Sequence, residues 1–516
     1  MLRLMKIEIF DTTLRDGAQG AGIDFTYEDK LKIISALDNL GIDYIEAWNF
    51  MSDSGVTCGD LKHAQITAFG STRRPYENIS ESDVFRRIAE SDIGVVTIFG
   101  KSWTYHVRNV LKTSYEENLA MIYDTVRYLT MSGKKVIYDA EHFFDGYSDD
   151  SSYAMATIRA ACKAGAVTVV LCDTNGGSLP EVIGRVVGEV KAALPDVKLG
   201  IHCHNDIGMS AAATVAAVIN GAVHVHGTVS GIGERCGNAN LNTIMPVLQF
   251  KLGYDCIPPE SMKNLTKTVR YINEIANLPF DESEPFVGGY AFTHKAGMHI
   301  DAVQKAAMSI EHIAPDMVGN ERDILISGIA GRAALVDRMK TINSDLTKES
   351  PQVMNALNKI REYEQNGYSY EDADASLKLL IYESLGIRQR YFRLIKYQVS
   401  INESAGTDSP CTALIKIAVG DMTEMTAAEG KGPVHALDTA LRRALSTFYP
   451  VIENIRLTDY KVRVLNSGDT TASKVRVSIE TTDGIRVWRT VGVSEDIIDA
   501  SWQALADSVE YVLAQN

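Results

Sequence analysis

Lys198-Leu-Gly-Ile-His-Cys-His-Asn-Asp206 is the stretch on which the reading of the chain turns. Leu199 to Ile201 is a short apolar run behind Pro195 and Asp196, and it reads as a buried strand. Side chains of a strand alternate faces, so His202 and His204 point the same way and Cys203 points away from them. Two neutral imidazoles on one face, joined by a carboxylate from elsewhere, suit a divalent metal. A hydrogen-bonded pair of core histidines is the structural alternative.

Outward from this strand, the same alternation runs through the first half of the chain. Apolar strand-like runs occur at Ile7–Phe10, Tyr44–Trp48, Gln65–Phe69, Gly94–Phe99, Lys135–Asp139, Thr168–Cys172, Leu199–His204 and Val223–Val229. Between them lie amphipathic stretches such as Tyr27–Leu40, Glu116–Met131, Ser151–Ala164, Leu179–Leu194 and Ser210–Asn220. Glycines close several of these: Gly41, Gly133, Gly165 and Gly221. Such strand–helix units, eight over roughly 250 residues, are the count for a (β/α)8 barrel. A doubly wound open sheet is the alternative, but no Gly-x-Gly-x-x-Gly opens a helix after the first strand.

Composition bounds the function. The chain has 516 residues, long enough for more than one domain. Its 51 basic and 66 acidic residues give a net charge of −15, which argues against a nucleic-acid partner. No apolar run reaches the ~18 residues of a membrane span, and no signal-peptide pattern opens the chain. The 7 cysteines are scattered without a Cys-x-x-Cys pair, which fits reduced thiols in a cytoplasm.

In a (β/α)8 barrel the chemistry gathers at the C-terminal ends of the strands. Those ends carry Asp11 and Arg15-Asp16, then Glu46, Arg73-Arg74, Asp139 with Glu141 and His142, Asp173-Thr174-Asn175, His202 with His204, and Gly231 to Asn238. Each charged group alone is an ordinary loop residue. A polar cluster at one strand end after another is harder to explain that way.

Three of these segments resemble the DRE-TIM metallolyase superfamily: Asp11-Thr-Thr-Leu-Arg-Asp-Gly-Ala-Gln19, His202-Cys-His-Asn-Asp206 and Gly233-Glu-Arg-Cys-Gly-Asn238. Within it the chain is similar to the acyl-CoA Claisen condensing enzymes, the 2-isopropylmalate, homocitrate and citramalate synthases. Ala68-Phe-Gly-Ser-Thr-Arg-Arg-Pro75, Val318-Gly-Asn-Glu-Arg322 and Gly430-Lys-Gly-Pro-Val434 narrow the resemblance to the long-form citramalate branch. One loop departs from the pattern. After Glu46 the chain reads Ala-Trp-Asn-Phe-Met-Ser-Asp-Ser-Gly where a Gly-rich stretch leading to Asn-Pro-Lys-Asp is expected. Trp48 and Phe50 in that loop are bulky enough to wall an acceptor pocket against anything larger than a methyl group.

The resemblance implies roles. Asp16, His202 and His204 match metal ligands, and Asn238 a fourth, direct or through water, for Mg, Mn or Zn. Arg15 matches a residue that stabilises oxyanion charge, and Glu46 the acid that orients it. Glu141 matches the catalytic acidic residue near the acetyl group, and Thr174 a hydroxyl that binds the carboxylate of the 2-oxo acid. His224 and His226 form a second His-x-His that the metal motif does not use. The implied reaction is a Claisen condensation of acetyl-CoA with pyruvate, then thioester hydrolysis, on the route to isoleucine. Glu141, His299 and a water chain are all candidates for the base. A superfamily lyase or aldolase, a 2-isopropylmalate or homocitrate synthase, and an amino-acid sensor without activity are the alternatives.

The expected domains are a barrel over residues 1–280, a helical linker over 281–390 and a C-terminal α+β domain over 391–516. The linker opens with Gly288-Gly-Tyr-Ala-Phe-Thr-His-Lys-Ala-Gly-Met-His299, similar to the family segment whose histidine reaches an active site, often the neighbouring subunit's. His299 is the candidate there, ahead of His294. The C-terminal pattern is three strands and a helix, repeated: Leu394–Ile401, Cys411–Val419, Glu424–Glu429 and Val434–Phe448, then Ile455–Val464, Ser473–Thr481, Arg486–Val493 and Asp496–Leu513. It resembles the allosteric domain of these synthases, which implies isoleucine as effector and a homodimer.

Overall fold

Parallel strands covered by helices on the outside and packed side chains on the inside meet no water on either face, so they read as nearly continuous apolar runs. In the computed structural model those runs close into one barrel of eight parallel strands in sequence order. They are β1 Glu8–Asp11, β2 Tyr44–Glu46, β3 Gln65–Ser71, β4 Val95–Lys101, β5 Lys135–Glu141, β6 Thr168–Asp173, β7 Leu199–Cys203 and β8 Ala222–Gly227. The structure describes residues 5–47, 61–295, 297–325, 331–401, 411–465, 473–484 and 486–515. Trp48 and Phe50 lie outside these.

The barrel helices have local reasons to start and stop. Helix α1, Tyr27–Leu40, opens on a capping box between Thr26 and Asp29 and closes on Gly41 at φ 89°. After it come α2 Asp83–Glu90, α3 Tyr115–Met131, α4 Phe143–Ala164, α5 Pro180–Ala193, α6 Ser210–Ile219 and α7 Leu265–Ile275. Helix α4 is longer than the sequence suggests. It begins at Phe143, directly behind β5, and is kinked at Asp150 (φ −145°, ψ 93°). Gly146 hides its first half. A Cβ there would lie 2.4 Å from the Ser102 carbonyl oxygen, so the glycine serves a close approach and not a turn.

Two apolar clusters hold the barrel. A large one lies between strands and helices and takes in Ile201, Cys203, Val186 and Ala213. A small one fills the barrel interior with Phe10, Val95, Ile137, Val170 and Cys172. Cys203 thus packs on the helix side of β7, opposite the imidazoles that flank it.

The chain divides into two compact units: Met1–Phe292 with Ile313–Arg322, and Thr293–His312 with Asp323–Asn516. The second begins with a short parallel pair, β9 Thr293–His294 and β10 Asp323–Ile324, absent from the sequence reading. Its helices are α8 Gly297–Ala306, α9 Gly331–Lys340, α10 Pro351–Gln365 and α11 Asp374–Ser384. Then come two antiparallel sheets, β11 Arg393–Ile401, β12 Cys411–Val419 and β13 Met422–Gly430, followed by α12 Pro433–Ser446, and β14 Arg456–Val464, β15 Val475–Thr482 and β16 Val487–Ser494, followed by α13 Ile497–Leu513. Three strands and a helix do occur twice. Both helices and both sheets contribute to one apolar cluster, with Ile415, Leu437, Ile479 and Leu505 at or near zero exposure.

Candidate active site

The loop after β1 carries Arg15 and Asp16 to the C-terminal mouth of the barrel. Asp16 Oδ2 lies 3.6 Å from His202 Nε2 and 3.9 Å from His204 Nε2, and the two Nε2 atoms are 3.3 Å apart. All three residues are buried, and among the described residues they form the group of histidine and acidic side chains able to hold a metal ion. Burial pushes both imidazoles below the ordinary histidine range and so keeps their lone pairs free. Burial opposes charge on Asp16 too, but Arg15 and the two histidines hold its carboxyl below the usual range.

Asn238 completes the ring. Its Nδ2 donates to Asp16 Oδ1 at 3.0 Å and to the Ile232 carbonyl at 3.1 Å, and its buried Oδ1 has no protein partner. Glycine makes this geometry reachable. A Cβ on Gly233 (φ 152°) would sit 2.1 Å from Asn238 Nδ2, and one on Gly237 (φ 86°) 2.0 Å from the Gly231 carbonyl oxygen. Two imidazole nitrogens and a carboxylate oxygen within reach of one another, with a buried, unpaired amide oxygen on the neighbouring Asn238, fit a divalent cation.

Arg15 is fixed on three sides. Its Nε donates to Glu46 Oε2 at 2.8 Å and its Nη1 to Asp16 Oδ2 at 3.0 Å, while its guanidinium lies 3.9 Å over the Phe69 ring. Burial lifts the Glu46 carboxyl, although Arg15 pulls the other way. Asp139, near the C-terminal end of β5, is lifted further by burial and by the Glu46 charge, and its Oδ1 is buried without a partner.

Glu141 ends β5. Its carboxylate pairs with Lys101 Nζ at 2.6 Å, and Lys101 is its register partner across β4 and β5. Thr174 accepts a hydrogen bond at its Oγ1 from the His142 N–H at 2.9 Å. The Thr174 carbonyl accepts from Arg235 Nη2 at 2.7 Å, and Arg235 also grips Asp206 at 2.7 Å and 2.9 Å.

Other strand-end residues serve the scaffold. Arg73 is clamped by Glu117 at 2.7 Å and Asp124 at 2.8 Å on α3. Asp11 bonds the Thr13 N–H and hydroxyl, each at 2.9 Å, and Asp173 accepts from the Ser178 hydroxyl at 2.9 Å. His224 and His226 sit in the barrel core. His224 Nδ1 lies 3.0 Å from Glu8 Oε2, and the His226 ring stacks on Phe10 with centroids 3.9 Å apart. In the second unit, His294 Nε2 lies 3.1 Å from Glu311, and His299 is exposed on α8. The sequence reading gave no role to Lys101, Asp145, Arg235 or Phe69. A signal for Lys101 existed, since it stands just past the end of an apolar run.

Three family profiles cover most of the chain: HMGL-like over residues 6–272, homocitrate synthase post-HMGL domain-like over 286–367, and LeuA allosteric (dimerisation) domain over 371–513. The (R)-citramalate synthase of Aquifex aeolicus is 47% identical over 99% of this chain and 98% of its own length. That of Synechocystis sp. is 45% identical over 98% and 96%, and that of Geobacter sulfurreducens 42% identical over 98% and 97%. The chain belongs to the (R)-citramalate synthases, within the 2-isopropylmalate and homocitrate synthase family.

Proposed function

We propose that this site condenses acetyl-CoA with pyruvate and hydrolyses the thioester to give (R)-citramalate and CoA. The observation that carries the reading is the convergence of Asp16 Oδ2, His202 Nε2 and His204 Nε2 beside the Arg15 guanidinium. A divalent cation held by these residues, with Asn238 as a fourth donor, would polarise the keto carbonyl of pyruvate and hold its carboxylate. Magnesium, manganese and zinc all suit the donor set.

The protein's own groups then divide the work. Arg15, with Nε and Nη1 committed to Glu46 and Asp16, keeps Nη2 for the oxygen that gains charge as the new carbon–carbon bond forms. Glu46 orients Arg15. Thr174 accepts from the His142 N–H, so its own hydrogen is available to the pyruvate carboxylate. Glu141, ion-paired with Lys101, faces the acetyl group. His299, in the segment similar to the family linker, is the further candidate for assisting proton transfer. The LeuA-type domain binds isoleucine as an end-product effector and joins two copies of the chain.

Thiol release from acetyl-CoA with each 2-oxo acid in turn tests the reaction. Pyruvate should be the preferred acceptor, 2-oxobutyrate poorer and 2-oxoisovalerate nearly inert. One methylene in an apolar pocket is worth only about 1–3 kcal/mol, so exclusion of an isopropyl group needs a wall. Comparable kcat/KM for pyruvate and 2-oxoisovalerate would refute the acceptor while leaving the condensation chemistry standing.

A further inference from the structure

Directly after Glu141 the backbone does something unusual. His142 sits at φ 54°, ψ 38°, a left-handed conformation uncommon for non-glycine residues and one that histidine tolerates better than most. The turn places its N–H on Thr174 Oγ1 and folds its ring back beside Glu141. The residue is 9% exposed, with the His106 ring against its own at 4.2 Å between centroids and Trp103 at 5.9 Å.

Each nitrogen of that imidazole faces a carboxylate. Nδ1 lies 3.2 Å from Asp145 Oδ2, and Asp145 Oδ2 also accepts from Asn175 Nδ2 at 3.0 Å. Nε2 faces Glu141 Oε1 at 4.0 Å, while Lys101 holds Glu141 Oε2. A carboxylate on Nδ1 fixes the tautomer: the hydrogen stays on Nδ1 and Nε2 keeps its lone pair. The order Asp145, His142, Glu141 is therefore a carboxylate, an oriented imidazole and the carboxylate assigned to the acetyl group. The separation of 4.0 Å is one that substrate binding or a single water closes.

We propose that His142, oriented by Asp145, takes over the proton that Glu141 removes from the acetyl methyl group. The inference rests on the reading of Glu141 given above. Glu141 accepts the methyl proton, and the C–H electron pair becomes the enolate. The carboxyl then passes that proton to His142 Nε2, which regenerates the carboxylate and leaves an imidazolium paired with Asp145. The enolate pair forms the bond to the keto carbon, and the carbonyl π pair moves to the keto oxygen, which becomes the alkoxide. Once on His142 Nε2 the proton is away from the enolate long enough for attack. His142 acts through Glu141 and is a positioning and relay residue.

Full-length, metal-loaded enzyme carrying His142→Asn tests the relay. Asparagine tolerates the left-handed backbone and keeps the N–H that Thr174 needs. The expected result is a fall in kcat on the order of 10²-fold with pyruvate KM unchanged, and a smaller primary isotope effect with trideuterated acetyl-CoA, because return of the proton from Glu141 makes its abstraction reversible. Asp145→Asn should shift both in the same direction, and imidazole added to His142→Gly should restore part of the rate. Wild-type kcat and isotope effect in a folded His142→Asn would overturn the proposal, as would a lost kcat with neither a changed isotope effect nor imidazole rescue. Glu141→Gln separates the two readings: wild-type turnover there overturns the role of Glu141 itself, whatever His142 does.

Discussion

Arg15 Nε donates to Glu46 Oε2 at 2.8 Å, with the Glu46 side chain only 2% exposed. A buried carboxylate thus sets the roll of the guanidinium, and the second hydrogen bond, from Nη1 to Asp16, sets its reach. Lysine has the charge but neither the fork nor the planar face that lies over Phe69. Arg15→Lys should lower kcat on the order of 10²-fold, with a smaller change in pyruvate KM, because the lost donor acts where charge develops. Steady-state kinetics checks it, and a pure KM effect would move Arg15 to substrate binding.

Chelation should abolish turnover. His202→Ala should lose stoichiometric metal by elemental analysis while circular dichroism stays that of the wild type. The side chain projects from the C-terminal end of β7 toward the barrel mouth, and the apolar clusters that hold the fold do not include it. Full activity in a metal-free sample would sink the reading.

The C-terminal repeat matches the LeuA allosteric (dimerisation) domain, and the proposed effector site lies there. An enzyme truncated from about residue 392 should be insensitive to isoleucine, with activity lowered by lost contacts between copies. Inhibition by isoleucine that survives truncation would place the effector site elsewhere.

Acid stability should report on the opposite end of the barrel. Burial alone would raise the Glu8 carboxyl, but His224 and Lys198 bring it from 4.5 down to about 2. A depressed carboxyl stabilises the fold above its unfolded value and loses that stabilisation as pH falls toward its folded one. Glu8→Gln should therefore melt below the wild type at neutral pH, and the difference should shrink between pH 4.5 and about 2. A difference in Tm that does not change with pH would show that Glu8 acts by shape alone.

The barrel was legible because its strands are buried on both faces, so Thr168–Asp173 or Leu199–Cys203 announce themselves as apolar runs. Asp16, His202 and His204 were legible because period-two spacing puts the histidines on one face and a family motif supplies the acid. Pairings made across the register were not. Lys101 and Glu141 meet because β4 and β5 run on past their apolar stretches, and the end of an apolar run marks each residue but not their pairing. Asp145 was hidden for a related reason. It lies in the first half of α4, where Gly146 mimics a break that the packing against Ser102 explains. The expected pocket wall at Trp48 and Phe50 lies outside the described residues.

Gly233 and Asn238 also constrain how this loop can change over time. The space a methyl group would need at residue 233 is already filled by the amide of residue 238, 2.1 Å from where that carbon would stand. No single-step replacement at 233 leaves the amide in place, and a bulkier group at 238 would run into the backbone of 233. Laboratory evolution aimed at a different metal or a different fourth donor will find these two positions locked together. It should succeed only from libraries that vary them as a pair.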